Sequence, residues 1–229
     1  MDPDLVFAWQ AAHSLARSSP PPVHDRGGFR VDTRGEKEVA RWVFPSLCDG
    51  LYEVAREISS PRHYLKLCGT SEALRGAVPA SWEIQPENYF MVATASSREM
   101  RPLPDGYRLE FRQSGPVAQV KIVGSQGDIA ASGFAAETMD AFVFDRIETA
   151  PAHRRKGLGI AVMSALGAVN RFGNRPQLLV ATEEGRCLYE RLGWTAIATV
   201  ATAVIPETCD SLGLPSLQSG LPSSDCVTR

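Results

Sequence analysis

Residues Arg154-Arg-Lys-Gly-Leu-Gly159 are the most informative stretch of this 229-residue chain. They follow an apolar run at 141–147 and precede an apolar-periodic run at 160–166, an order that predicts a strand, a basic glycine turn and a helix. Glycine lets the backbone approach a ligand closely, and the first turn of a helix presents unpaired N–H groups that carry about half a positive charge. The turn therefore predicts an anion site, most often one for phosphate.

The composition is that of an ordinary globular protein. Hydrophobic residues make up 44% and charged residues 22%, the net charge is −2, and the five cysteines are scattered without a C-x-x-C pair. The net charge argues against a general nucleic-acid binder, and the cysteine spacing suggests neither a disulfide scaffold nor a zinc site. No apolar run approaches the roughly 20 residues that span a bilayer, and the acidic N-terminus is unlike a signal peptide. We expect a cytoplasmic protein that binds no metal, nucleic acid or membrane.

Hydrophobic periodicity predicts a helix-rich N-terminal region followed by closely spaced strands. The predicted helices are 4–17, 36–44, 48–58, 71–78, 157–172 and 184–192. The predicted strands are 64–68, 82–93, 107–114, 117–124, 128–137, 141–149, 177–181 and 194–205. Residues 18–22 are rich in proline and are predicted to begin a linker. The pattern of helices and strands indicates an α/β (α+β) protein.

Two segments share the order strand, helix, tryptophan, strand: residues 62–93 and residues 176–205. Two interpretations are open. The N-terminal half is a decayed copy of the C-terminal half, or two β-α-β units resemble each other by chance. The first segment has no basic glycine turn, so it is not expected to bind phosphate in either case.

The motif Arg154-x-x-Gly157-x-Gly159, placed between a strand and a helix, resembles the acyl-CoA-binding motif of the GNAT superfamily of N-acetyltransferases. The segment Leu188-Tyr-Glu-Arg-Leu-Gly-Trp194 is similar to a second motif of that superfamily, Phe/Leu-Tyr-x-x-x-Gly-Phe. The resemblance covers roughly residues 107–205. It implies a GNAT-like mixed, mainly antiparallel sheet flanked by helices. The implied catalytic domain is 101–206, and the N-terminal region at 1–100 is either a degenerate GNAT-like half or unrelated. The chain from 206 onward is rich in Ser, Pro, Leu and Gly, which predicts a flexible tail at 207–229.

The resemblance implies acetyl-CoA as co-substrate, with its pyrophosphate on the backbone N–H groups of residues 155–160. It also implies that the pantetheine arm pairs with the end of the preceding strand. The residues implied to bind acetyl-CoA are Ile147, Thr149, Arg154, Arg155, Lys156, Gly157, Leu158, Gly159, Ile160 and Thr182. A solvated basic turn is the alternative for the three cations.

The sequence departs from the family at two places. Thr182 stands where family members often have asparagine, and only Gly115-Pro116 joins two strands that the family usually connects through two helices. We expect helices of the N-terminal half to cover the sheet face that this short connection leaves bare.

The resemblance implies that Tyr189 is the general acid. A phenol with pKa near 10 is protonated at neutral pH, so it can donate to a departing thiolate whose thiol pKa is roughly 8–9. The alternative is a tyrosine whose ring merely packs between helix and sheet.

The resemblance places bases of this family at the positions of Val143 and Asp145, and only Asp145 can act. On a regular strand the side chains of residues 143, 145, 147 and 149 share one face. The alternative is a carboxylate paired with Arg146 or another cation. Glu137 and Glu148 are weaker candidates for the base. His153 is expected to be a solvated loop residue. If a chain of water molecules accepts the proton, the protein has no dedicated base.

The resemblance thus implies an acyl-CoA-dependent N-acyltransferase that moves an acetyl group to a primary amine, favouring a small molecule, by direct attack in a ternary complex. A homodimer is compatible with it. Two alternatives remain: a non-catalytic acyl-CoA-binding or regulatory protein, and nucleotide binding of another type. The glycines fit neither the dinucleotide fingerprint nor the phosphate-loop signature.

Overall fold

Eleven strands form one continuous sheet in the computed structural model, which describes residues 1–93, 102–171 and 174–207. The helices are α1 Pro3–Ala16, α2 Asp49–Glu57, α3 Ser71–Ala77, α4 Leu158–Gly167 and α5 Glu183–Arg191. The strands are β1 Val23–Asp25, β2 Gly28–Val31, β3 Ala40–Phe44, β4 His63–Cys68, β5 Glu83–Ala93, β6 Arg108–Ser114, β7 Val117–Val123, β8 Ile129–Glu137, β9 Phe142–Thr149, β10 Gln177–Ala181 and β11 Trp194–Val204. Their spatial order is β1-β2-β3-β4-β11-β5-β10-β9-β8-β7-β6.

Neighbouring strands are antiparallel except in the pairs β3–β4 and β9–β10. The predicted fold class, a mixed and mainly antiparallel sheet flanked by helices, is therefore confirmed. No helix within the described residues is both long and apolar enough to cross a membrane.

Among the described residues, α1 is the one helix on its face of the sheet, and α2 to α5 cover the opposite face. Asp2 caps α1 by accepting a hydrogen bond from the N–H of Asp4 at 3.0 Å, and Pro3 suits the first turn because its missing N–H would be unpaired there. The helix contacts strands from both ends of the sheet, namely β2, β7, β8 and β9. The sheet therefore curves around α1, and an N-terminal helix covers the bare face of the C-terminal strands, as expected.

The two halves of the chain repeat one order of elements. The series β2-β3-α2-β4-α3-β5 matches β8-β9-α4-β10-α5-β11, and in each series the first helix links the parallel pair. The last strands are exchanged: β5 lies beside β10, and β11 lies between β4 and β5. The strands of the two halves thus interleave across residue 100.

Three predictions of secondary structure were wrong. The helix predicted at 36–44 is the strand β3, and the residues after the proline-rich 18–22 form the hairpin β1–β2 with positive φ at Arg26 and Gly27. All five residues of β3 are buried between β2 and β4, so no alternation marks it as a strand. Helix α4 ends at Gly167 instead of 172. Residue 172 and almost all of the predicted tail lie outside the described residues.

Candidate functional site

The parallel strands β9 and β10 separate soon after they begin. Only two residue pairs are in register, Phe142 with Gln177 and Val143 with Leu178. The matching strands β3 and β4 stay paired over five residues, from Ala40–His63 to Phe44–Leu67. The sheet therefore opens in the C-terminal half and stays closed in the N-terminal half.

A β-bulge turns the end of β9. Arg146 has φ 52°, and the register with β8 shifts between Ser132 and Phe134. Val143 packs on the α1 side, whereas Ile147 packs against the core beneath α4. The prediction that residues 143, 145, 147 and 149 share one face was therefore wrong, because the extra residue of the bulge reverses the alternation.

Gly133 lies opposite the bulge and makes room for it. A Cβ at this position would collide with the Cδ1 of Ile147 and lie 2.7 Å from the Cγ1 of Val162 in α4. Glycine here therefore lets Ile147 turn under α4 while the helix stays close to the sheet.

A cavity of about 870 Å³ lies between β9, α4 and α5. It falls within the range of about 300–1,000 Å³ typical of ligand sites. Its wall contains every residue implied to bind acetyl-CoA except Lys156, together with Tyr189. The lining residues of that set are Ile147, Thr149, Arg154, Arg155, Gly157, Leu158, Gly159, Ile160, Thr182 and Tyr189.

The first turn of α4 forms one wall of this cavity. Gly157 precedes the helix with φ 77°, a conformation that favours glycine. A Cβ on Gly159 would approach Leu188 Cδ2 to 3.4 Å, so the fold itself has space for it. The N–H groups at the start of α4 have no intrahelical partner and are available to an anion beside Arg154 and Arg155.

The ammonium of Lys156 points elsewhere. Its Nζ donates to the hydroxyl of Tyr107 at 2.9 Å, and that hydroxyl also lies 2.8 Å from Nδ1 of His153. Nε2 of His153 contacts Asp128 at 2.6 Å. Lys156 therefore contacts Tyr107 and does not line the cavity. The expectation that His153 is a solvated loop residue was wrong, since it joins the basic turn to neighbouring loops.

Tyr189 is buried in the wall of the cavity, with 7% of its surface exposed. Burial, followed by the negative charge of Asp145, raises the pKa of its phenol to about 12. The phenol is therefore protonated at neutral pH and can act as a hydrogen-bond donor. Thr182 caps α5 by accepting from the N–H of Gly185 at 3.2 Å, which places the helix that carries Tyr189.

Asp145 is buried on the α1 side of β9 and is paired. Arg17 donates to both carboxylate oxygens at 2.9 Å, and Nε of Arg146 donates at 3.2 Å. Arg146 also donates to the carbonyl of Ala16 at the end of α1. Asp145 is therefore a carboxylate paired with cations, which is the alternative to a catalytic base that the sequence left open. Because guanidinium donors occupy both oxygens, the arrangement favours a role in docking α1 over a role as base.

The other candidate bases lie apart from each other. Glu148 is exposed and lines the cavity. Glu137 is 3.7 Å from Arg175 and lies outside the cavity wall.

Sequence reasoning missed several residues of the cavity. Arg191 adds a third arginine to its wall, and Ser132 comes from β8. Gly185 and Leu188 also line it, and the helical spacing from Tyr189 could have identified Gly185 one turn earlier. No comparable sequence signal marks Ser132, because its position depends on the pairing of β8 with β9.

Comparison with solved structures identifies the fold. A GCN5-related N-acetyltransferase from Kribbella flavida superposes with TM-score 0.63 at 15% identity, over 89% of this chain and 95% of that one. The chain has the GNAT fold. A putative GNAT-family acetyltransferase from Novosphingobium aromaticivorans matches with TM-score 0.56 and 13% identity over 90% and 99% of the two chains. A tandem GNAT protein from the clavulanic acid biosynthesis pathway matches with TM-score 0.51 and 12% identity over 87% and 94%.

No family model and no curated sequence matches the chain. The GNAT resemblance read from residues 107–205 is therefore confirmed as a fold, and the structural likeness extends over the N-terminal half as well.

Proposed function

We propose that the protein is an acyl-CoA-dependent N-acetyltransferase that transfers an acetyl group from acetyl-CoA to a primary amine by direct attack in a ternary complex. The observation that carries the proposal is the cavity between β9, α4 and α5, which joins a helix N-terminus and two arginines to a buried tyrosine. The GNAT neighbours support the same activity. The tandem GNAT neighbour supports the further proposal that residues 1–100 are a degenerate GNAT-like half.

The cavity offers complementary groups for the two ends of acetyl-CoA. The amides at the start of α4, with Arg154 and Arg155, suit the pyrophosphate. The edge of β9 at Ile147 and Thr149, which β10 leaves unpaired, suits the amides of the pantetheine arm. These contacts would direct the thioester toward Tyr189.

The chemistry requires a neutral amine that attacks the thioester carbon, loss of a proton from that nitrogen, and stabilisation of the departing sulfur. Tyr189 donates a hydrogen bond to the sulfur as negative charge develops there. With its pKa at about 12 and a thiol pKa of roughly 8–9 in water, complete proton transfer from Tyr189 is unfavourable unless the same burial raises the thiol pKa. We therefore assign Tyr189 chiefly to stabilising the leaving group. The amine loses its proton to water, since Asp145 is occupied by arginines.

A non-catalytic acyl-CoA-binding protein is the second candidate. The position of Asp145 favours it, because this residue is paired with arginines and lies outside the cavity wall, and the carboxylates that line the cavity, Glu148 and Glu184, are both exposed.

The test has two parts. Calorimetric titration of the full chain with coenzyme A should show binding that weakens at least about tenfold in Arg155→Ala, since a charge-assisted hydrogen bond contributes about 1.5–3 kcal/mol. Arg112→Ala, at an exposed residue of β6, is the matched control and should bind as the wild type does. Absence of coenzyme A binding in the wild type would refute both candidates.

The second part measures release of the coenzyme A thiol from acetyl-CoA with and without a panel of primary amines. Release that depends on an amine supports the transferase. Binding of coenzyme A without amine-dependent release across the panel would favour the regulatory protein.

A further inference from the structure

A second cavity, of about 180 Å³, lies on the opposite face of the sheet from the acyl-CoA cavity, between α1 and the strands. Its lining residues are Trp9, His13, Arg17, Lys66, Asn88, Phe144, Asp145, Val180 and Val200. Asp145 on β9 and Val180 on β10 place it beside the opening between these two strands. Ile147, two residues after Asp145 on β9, lines the acyl-CoA cavity, so the two cavities flank the same strand.

Lys66 reaches this cavity from the N-terminal half. Its neighbours Leu65 and Leu67 pack against the helices α2 and α3, so the alternation of β4 turns Lys66 toward α1. The side chain is partly buried, and its ammonium makes no hydrogen bond or ion pair with any residue in the described part of the chain.

The other cations around the cavity have partners. Arg17 is paired with Asp145, and Arg41 contacts Glu38 at 2.5 Å and Nδ1 of His13 at 3.1 Å. Burial, and then the charges of Arg41 and Arg17, hold the pKa of His13 well below its ordinary value, so this histidine is neutral. Lys66 is therefore the cation of this wall whose ammonium has no hydrogen-bond or ion-pair partner among the described residues, and Glu38, the carboxylate whose charge acts on it, is paired with Arg41.

Burial also lowers the pKa of Lys66 to about 8, mainly through loss of hydration and then through the charge of Arg41. A partly buried cation without a partner loses hydration that no ion pair replaces, and this loss destabilises the folded protein. A ligand anion would supply the missing partner.

We propose that this second cavity binds the carboxylate of the acceptor, so that the substrate is a small molecule carrying both an amine and a carboxylate, as an amino acid does. This inference rests on the proposed transferase activity for the role of the amine. The unpaired ammonium of Lys66 can form an ion pair with one carboxylate, and the amide of Asn88 is a further hydrogen-bond donor in the wall. The volume equals that of about six water molecules, which limits the bound part to a few carbons and a carboxylate.

The direct test is binding of simple carboxylates to the full chain, measured by thermal shift at constant ionic strength. Propionate and L-alanine should raise the melting temperature of the wild type, whereas propionamide and L-alaninamide should raise it less or not at all. Lys66→Met should weaken carboxylate binding at least tenfold. Lys37→Met, at an exposed lysine, is the matched control and should leave it unchanged. If Lys66→Met does not fold, Lys66→Gln replaces it.

The inference is overturned if propionate and L-alanine do not stabilise the wild type. It is also overturned if Lys66→Met weakens the binding of the carboxylates and of the amides by the same factor. Coenzyme A titration separates this result from the proposed function. Coenzyme A binding without carboxylate binding refutes only the second cavity as an acceptor site, and carboxylate binding without coenzyme A binding refutes the transferase and leaves a carboxylate site.

Discussion

Replacing Lys66 by methionine should stabilise the folded protein at neutral pH. Methionine has a similar length and shape but needs no hydration. In the folded protein the pKa of Lys66 is lowered from 10.5 to about 8, chiefly by burial. Each pKa unit corresponds to about 1.4 kcal/mol, so the buried charge costs up to about 3 kcal/mol at pH 7. This is an upper limit, because the side chain keeps some contact with solvent.

The pH dependence gives the sign of the effect. Below about pH 8 Lys66 is charged in both the folded and the unfolded chain, and the full cost applies. Between pH 8 and 10.5 the unfolded chain keeps this proton while the folded chain loses it, so the wild type gains stability as the pH rises. Lys66→Met cannot show this gain, and its advantage over the wild type should shrink by up to about 3 kcal/mol between pH 7 and 10.5.

The assay is urea unfolding of both proteins at several values of pH from 7 to 10.5. Other groups titrate in the same range, but they contribute equally to both proteins and cancel in the difference between them. Lys37→Met controls for loss of a lysine charge in general and should show a difference near zero at every pH. A difference between Lys66→Met and wild type that stays constant over this range would refute the argument, whatever its size at pH 7.

Three further predictions concern the acyl-CoA cavity. Tyr189→Phe should lower kcat at least about tenfold while calorimetry shows unchanged coenzyme A affinity, because only the hydrogen bond to the leaving sulfur is lost; unchanged kcat would remove Tyr189 from the chemistry. Gly159→Ala should leave the melting temperature nearly unchanged, because the added Cβ meets only ordinary contacts. The same Cβ should weaken the affinity for coenzyme A at least about tenfold, because it separates the phosphate from the helix amides. Coenzyme A affinity equal to that of the wild type would argue against a phosphate at this turn. Tyr107→Phe should lower the free energy of unfolding by about 1–3 kcal/mol, because its hydroxyl joins His153 and Lys156, and urea unfolding with a wild-type m-value would measure this loss.

Much of the C-terminal half was predictable because its signals are local. Strand alternation identified β6 to β9, and the glycine turn at 157–159 located the helix N-terminus and its cavity. In the N-terminal half β3 was misassigned as a helix, because a strand buried on both faces leaves no alternation in the sequence.

The sequence by itself determined the conformations that depend on a few neighbouring residues. These are the positive φ of Gly157, the free amides that follow it, and Tyr189 on the helix after β10. Such features follow from backbone sterics and short-range hydrogen bonds, which a local pattern encodes.

Only the tertiary structure decided which groups meet. The bulge at Arg146 changed the face on which Ile147 lies, and Arg17, from the far end of the chain, occupied the carboxylate of Asp145. The exchange of β5 and β11 brought β4 into the same sheet, and with it Lys66 to a cavity beside β9. Burial and charge pairing depend on contacts between residues distant in sequence, and no local pattern specifies them.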